Sequence, residues 1–125
     1  MRDFVIGISQ YAKPAKPDFA IVPQNGIELV STTGEPDGKP AQAYLAAIDG
    51  HGQEDLFYGY EEGDQATSDE ASFWLEGFLD LSQRAGNIIL VTDYCSSPGK
   101  RELLVPHQPG KIRHQSCVYQ GCNRD

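Results

Sequence analysis

Polar side chains follow or interrupt three β-prone, apolar stretches of the chain. These polar residues are Gln24 and Asn25 after residues 19–22, Asp93 and Tyr94 after residues 88–92, and Glu54 within the extended stretch of residues 52–58. Ligand-binding and catalytic groups gather at the carboxyl ends of the strands in parallel α/β folds. The repeated pattern therefore predicts that these side chains lie together at one edge of a parallel sheet.

Two helices are predicted before the middle of the chain. Residues 4–12 place apolar side chains at helical spacing, and this pattern ends before Pro14. Residues 41–48 have short helical character, and the loop of residues 31–40 before them is rich in Thr, Gly, Pro and Asp. A strand is expected to follow at residues 53–58.

A longer helix and a buried strand are predicted next. The helix should begin at a capping box, in which the Thr67 hydroxyl bonds a backbone amide and Glu70 reaches back, and it should end at a left-handed cap on Gly86. Residues 87–95 are nearly continuously apolar, which predicts a strand covered by helices on both faces. The expected apolar stripe of the helix is Phe73, Trp74, Gly77, Phe78 and Leu81.

This alternation predicts an α/β fold with a parallel sheet. The 125 residues form at most one domain with a modest core, whereas a closed (β/α)8 barrel takes roughly 250 residues. Pro and Gly residues interrupt every candidate period beyond Ser96, so residues 99–125 are expected to form an irregular tail.

The composition excludes several classes of protein. A net charge of −8 argues against binding to nucleic acid or to an anionic membrane, because both require clustered Lys and Arg. The chain has no long apolar stretch and no secretory signal at its start, and it contains no nucleotide-binding glycine motif. The three cysteines are expected to be free thiols. His107, His114, Cys117 and Cys122 match no paired-ligand spacing, so we predict neither a metal nor another cofactor.

Each candidate site residue has an alternative explanation. Glu54 could be presented to a ligand because Gly50 and Gly52 leave room around it, or it could belong to a solvated acidic edge. Asp93 follows an apolar strand and needs either a structural partner or a functional role. Gln24 and Asn25 could bind sugar hydroxyls or could simply form a turn. Asp55 is expected to face away from Glu54, since neighbouring residues on a strand alternate.

Three segments in succession, residues 18–26, 44–58 and 91–95, resemble glycoside hydrolase family 114, the endo-α-1,4-polygalactosaminidase-like proteins. The resemblance covers residues 1–98 and implies the last three to four βα units of a (β/α)8 barrel. The tail departs from the family pattern, which is consistent with disorder or with a shifted reading frame at a degraded gene end.

The resemblance also implies a function. Two carboxylates act on an amino-sugar polymer in that family, and the family's Gly-x-x-Glu-Asp-Leu-Phe-Tyr glutamate matches Glu54. The second acid, which lies on an earlier strand, has no match in this chain. Gln24, Asn25, Asp93 and Tyr94 would line the sugar groove.

We therefore expect a glycosidase-like protein that is nearly inactive alone and that pairs with itself or with a missing N-terminal half-barrel. The alternatives are a non-catalytic carbohydrate-binding or self-assembling module, and a small α/β protein of unrelated function. Relatives acting on extracellular polymers are often exported, so the location of this protein stays open.

Overall fold

Helices and parallel strands alternate in the computed structural model, which describes residues 1–94 and 113–117. The sheet has the order β1-β2-β3, and both pairings are parallel. The predicted α/β class with a parallel sheet is therefore confirmed. In chain order the elements are α1 (Arg2–Ala15), a short 3₁₀ helix (Ile27–Val30), α2 (Gln42–Ala47), β1 (Gly50–Glu54), α3 (Asp69–Arg84), β2 (Ile88–Asp93) and β3 (Arg113–Cys117).

An extended segment, residues 21–25, lies along the edge of β1 that β2 leaves free. The carbonyl of Ile21 accepts from the Asp49 N–H at 2.8 Å, and the carbonyl of Pro23 accepts from the Gly52 N–H at 2.8 Å. Gln24 forms a parallel bridge with Gly52. The strand was predicted at residues 19–22. The extended segment that lies along β1 instead covers residues 21–25.

The position of β1 differs from its prediction. The strand covers residues 50–54 rather than 53–58, because Asp55 adopts a left-handed backbone conformation with φ of 57° and ends the extended chain. The apolar residues that suggested a later strand belong to the following loop. Leu56 in that loop is fully buried in the core. Loop side chains can therefore bury apolar surface without forming a strand.

Two helix boundaries also differ from the sequence prediction. α1 continues through Pro14 and ends at Ala15, since a proline in the last turn removes a single backbone hydrogen bond from an end that can relax. Ser68, not Thr67, caps α3, and its Oγ accepts from the Ala71 N–H at 3.3 Å. Gly86 adopts φ of 94°, which confirms the predicted left-handed cap.

The described helices cover one face of the sheet, and apolar residues of the helices and the sheet form a hydrophobic core there. Ile89 and Val91 of β2 contribute to that core, and Phe78 is fully buried within it. The predicted stripe on α3 is offset, because Phe73 is 79 % exposed. The residues of α3 that are buried are Leu75, Phe78, Leu79 and Ser82.

The other face of the sheet is uncovered among the described residues, and we call it the open face. Register places Gly50 beside Ile88 and Glu54 beside Thr92, and Val22 lies against Gly50 on the same side. Val22 is 43 % exposed and Ile88 is 55 % exposed. The prediction that the β2 strand is buried on both faces is therefore wrong for the described residues.

β3 lies inside the segment that was predicted to be irregular. Its register with β2 shifts between Val91 and Thr92. This strand forms by backbone pairing on the edge of β2. Backbone pairing does not require a regular pattern of apolar residues, so the sequence did not predict the strand. The remainder of residues 99–125 lies outside the described residues. None of the described helices has the length and apolar character needed to cross a membrane.

Phe78→Ala should lower the free energy of unfolding by about 3 to 5 kcal/mol, because it removes a fully buried aromatic ring and leaves a cavity. Phe73→Ala on the exposed side of the same helix is the matched control and should change stability by about 0.5 kcal/mol or less. Urea denaturation of both variants measures the difference. Equal losses would contradict the observed orientation of α3.

Candidate functional site

Glu54 is the last residue of β1 and points to the open face. Two glycines precede it on that face, Gly50 and Gly52. A β carbon on Gly50 would lie 2.9 Å from the carbonyl oxygen of Ile88, which is closer than real β carbons approach other atoms. The glycines let the neighbouring backbones close in, and Glu54 is then the one long side chain that β1 places on this face.

Three side chains hold the Glu54 carboxylate. Oε1 accepts from Gln24 Nε2 at 2.6 Å and from the Tyr94 hydroxyl at 2.8 Å. Oε2 accepts from Asn25 Nδ2 at 2.9 Å, and Asn25 Oδ1 accepts in turn from the Glu54 N–H at 3.1 Å. The structure thus brings together four of the five side chains that the sequence singled out.

These hydrogen bonds favour the charged form of the carboxyl group. The bond from Asn25 contributes most to holding the pKa of Glu54 below its ordinary value, followed by the bond from Tyr94. Burial opposes these two bonds, and the bond from Gln24 adds the least. The same contact with Glu54 raises the pKa of Tyr94. Glu54 is therefore ionised and Tyr94 is neutral near pH 7, so Glu54 is suited to act as a base or nucleophile rather than as a proton donor.

Asp55 differs from Glu54 in its electrostatics. Burial, followed by the charges of Glu54 and Asp93, raises the pKa of Asp55. Its Oδ1 is buried without a hydrogen-bond partner in the described part of the chain, and it lies 2.6 Å from where a β carbon on Gly59 would stand. Two successive carboxyl groups thus have pKa values displaced in opposite directions, which is a feature of acid and base pairs.

Asp93 has a structural position instead. It is fully buried, and its Oδ1 accepts from the backbone N–H groups of Phe57 at 2.8 Å and Tyr58 at 3.1 Å. These bonds tie the loop after β1 to the end of β2, where the next residue is Tyr94. Of the two explanations that the sequence left open for Asp93, the structure provides the partners, and it does not place this carboxylate beside Glu54 on the open face.

His51 was not singled out from the sequence, yet it contacts the site. It is fully buried on β1, and its Nε2 lies 3.2 Å from the carbonyl oxygen of Asn25. Burial lowers the pKa of this imidazole, and the bond to Asn25 opposes that effect in part. A histidine between two glycines in a strand was the available signal, because a buried polar ring at such a position needs a partner.

A separate apolar hollow of about 480 Å³ lies between α2 and α3, lined in part by Leu45, Leu81 and Arg84. The end of α3 leads into the start of β2, so this hollow is at the amino end of the sheet. Glu54 lies at the carboxyl end. The hollow therefore takes no part in the carboxylate site.

Comparison with known proteins adds no assignment. No protein-family model matches the chain, and no curated protein matches it either. Within residues 1–94 and 113–117, no three His, Cys, Asp or Glu side chains form a group that could hold a metal ion.

Tyr94→Phe should raise the pKa of Glu54 toward its ordinary value, because it removes a hydroxyl donor from Oε1. Because the folded-state pKa of Glu54 is lowered, the carboxylate contributes stability above the unfolded-state pKa and loses it as the pH falls through the folded value. Tyr94→Phe should weaken this acid-side dependence.

Carboxyl carbon NMR titration of the folded protein measures the effect. Tyr11→Phe is the control, since Tyr11 is 88 % exposed and distant in sequence from the site. An unchanged pKa in Tyr94→Phe would show that the phenol does not bond Glu54 in solution.

Proposed function

We propose that this chain forms part of a glycoside hydrolase-like α/β protein, in which Glu54 is one of the two carboxyl groups that act on a sugar polymer. The observation that supports this most is the fixing of the Glu54 carboxylate by three neutral donors at the carboxyl edge of a parallel sheet. That edge is where α/β enzymes place their catalytic groups. Amide and phenol groups beside the carboxylate are also suitable partners for sugar hydroxyls.

The ionised state of Glu54 defines its chemical role. Glycoside cleavage requires one group that protonates the leaving oxygen and another that attacks the anomeric carbon or activates water. The hydrogen bonds that lower the pKa of Glu54 make it unsuitable as the proton donor and suitable as the nucleophile or base. Its negative charge also stabilises the positive charge that develops on the sugar ring in an oxocarbenium-like transition state.

Glycoside cleavage also needs a proton donor, and neither of the two aspartates near Glu54 is suited to that role. Asp93 is fully buried and is engaged with two backbone N–H groups. Burial raises the pKa of Asp55, which is the direction that suits a general acid, but its Oδ1 is enclosed beside Gly59. We therefore assign the second acid to a strand that the described residues do not provide, and we expect the chain alone to be nearly inactive.

The one-sided sheet supports a partial barrel of three to four βα units. In a (β/α)8 barrel, helices cover the outer face of the sheet and the inner face closes upon itself. Here the core lies on one face, whereas Val22 and Ile88 are exposed on the other. Segment 21–25 and β3 would be the edges at which further strands, from another half-barrel, complete the closure.

The first test is sugar binding and product release with partially deacetylated α-1,4-galactosaminan. We expect the purified chain to bind this polymer with almost no product release, because the described residues place only one suitable carboxylate on the open face. Glu54→Gln should weaken binding, since an amide cannot accept all of the donors that now converge on the carboxylate. Glu35→Gln, in the exposed loop before α2, is the charge-matched control.

Two outcomes would change this proposal. Absence of binding by folded protein would overturn the proposed function. Turnover that Glu54→Gln abolishes would show that a second acid is supplied within the chain or by a self-assembled copy. Asp55→Asn would then decide whether Asp55 is that acid.

A second candidate function is that of a self-assembling, non-catalytic module, and the open face favours it. Val22 and Ile88 expose apolar side chains on the same side of the sheet, and Phe19 nearby is 42 % exposed. Apolar surface of this kind commonly marks an interface. Two copies that met through their open faces would cover these side chains without closing a catalytic site.

Ile88→Lys should shift the protein toward the monomer if copies associate through the open face, because each copy would then bury a charge at the contact. Phe73→Lys is the control, since Phe73 is exposed on α3, away from the open face. Sedimentation velocity over a range of concentrations reports the oligomeric state. A wild-type protein that stays monomeric throughout would rule out this second function.

A further inference from the structure

We propose that His51 is a positioning residue of the site: as a neutral imidazole it holds the backbone carbonyl of Asn25, and thereby keeps the Asn25 side chain on the Glu54 carboxylate. The role of Glu54 on which this inference rests is the one given under the proposed function. His51 itself does not touch the carboxylate, because it lies on the opposite, buried face of β1.

The surroundings of His51 define its tautomer. Nε2 lies 3.2 Å from the backbone oxygen of Asn25, which can only accept a hydrogen bond, so Nε2 carries the proton. Nδ1 is buried and has no hydrogen-bond partner among the described residues. A second proton on Nδ1 would place an unsatisfied donor and a charge in the core, so the ring stays neutral.

Among the described residues, β1 provides the polar contacts of Asn25. Its backbone N–H donates to the Gly52 carbonyl at 2.8 Å, and its backbone carbonyl accepts from His51. Its side chain donates to Glu54 Oε2 and accepts from the Glu54 N–H. The His51 bond is therefore what fixes the carbonyl end of Asn25, while the other contacts fix its amide and side chain.

The left-handed conformation of Asn25 depends on the contacts that hold it, and the His51 bond is one of them. Asn25 has φ of 57° and Gly26 has φ of 59°, so two successive residues are left-handed. Such a conformation is unfavourable for a residue with a side chain, although Asn tolerates it better than most, and it persists where surrounding contacts hold it. Loss of the His51 bond would free the Asn25 peptide to rotate and would carry its side chain away from Glu54.

This chain of contacts couples a buried ring to a half-buried carboxylate on the open face. The bond from Asn25 is the largest cause of the lowered pKa of Glu54. A change at His51 that releases Asn25 therefore raises the pKa of Glu54 without removing any group that touches it. Disturbing packing elsewhere would reduce stability but would leave the Glu54 pKa where it is.

The test compares two substitutions at one position. His51→Leu fills the space without a donor, whereas His51→Gln places an amide N–H near the position of the imidazole Nε2. We expect the Glu54 pKa, measured by carboxyl carbon NMR on the folded protein, to rise in His51→Leu and to return toward the wild-type value in His51→Gln. Asn87→Leu is the control, because it removes another buried side-chain donor, to the Leu45 carbonyl, at the far end of the sheet.

Two results would overturn the proposal. One is a Glu54 pKa that does not respond to His51→Leu, or that rises equally in Asn87→Leu. The other needs no variant: imidazole nitrogen NMR of the wild type should show a proton on Nε2 and none on Nδ1, and the reverse tautomer would exclude the bond to Asn25. This second measurement decides the question even where His51→Leu does not fold.

These readouts require no sugar. A Glu54 pKa that follows His51, in a protein that neither binds nor cleaves the polymer, would support the positioning role and overturn the proposed function. Sugar binding that Glu54→Gln weakens, with a Glu54 pKa indifferent to His51, would support the function and overturn the positioning role.

Discussion

Parallel pairing on both edges of β1 is the constraint on which the site depends. Gly52 bonds to the backbone of Pro23 and Asn25 on one edge, and β1 pairs with β2 on the other. Because the three segments run in the same direction, their carboxyl ends meet at one place. A slip of one residue would turn Glu54 to the core and His51 to the open face, so the apolar side chains buried on one face also fix the site on the other.

That constraint explains which parts of the site could be predicted. Four of the predicted site residues meet in the structure, namely Gln24, Asn25, Glu54 and Tyr94. Their meeting requires only that the segments be parallel and end in polar residues, so it could be predicted although the strand boundaries were wrong. The boundary of β1 was missed because Leu56 extends the apolar pattern beyond the strand. Its burial belongs to the loop, and local periodicity cannot distinguish a strand residue from a loop residue that reaches the core.

Polar partners that are distant in sequence leave no local signal, so the partners of Asp93 and of Thr67 could not be predicted. Asp93 accepts from N–H groups more than thirty positions earlier. The Thr67 hydroxyl, expected to cap a helix, donates instead to the Asp55 carbonyl at 2.9 Å. Both side chains hydrogen-bond to backbone groups of the loop that follows β1. That loop turns sharply where Asp55 adopts its left-handed conformation. A sequence shows that such groups need partners, but the fold decides which partners they have.

The choice of donors around Glu54 has a chemical consequence. An arginine or lysine at this position would lower the pKa of the carboxyl group, but it would also neutralise the charge that the ionised group provides. Gln24, Asn25 and Tyr94 lower the same pKa through uncharged donors, so the site keeps a full negative charge on an oriented carboxylate. Burial and the charges of Glu54 and Asp93 raise the pKa of the neighbouring Asp55, so this second carboxyl group holds its proton more firmly than Glu54 does. An anionic group held in this way favours a ligand or a transition state that carries positive charge, and a glycosyl centre acquires such charge when its bond to the leaving oxygen breaks.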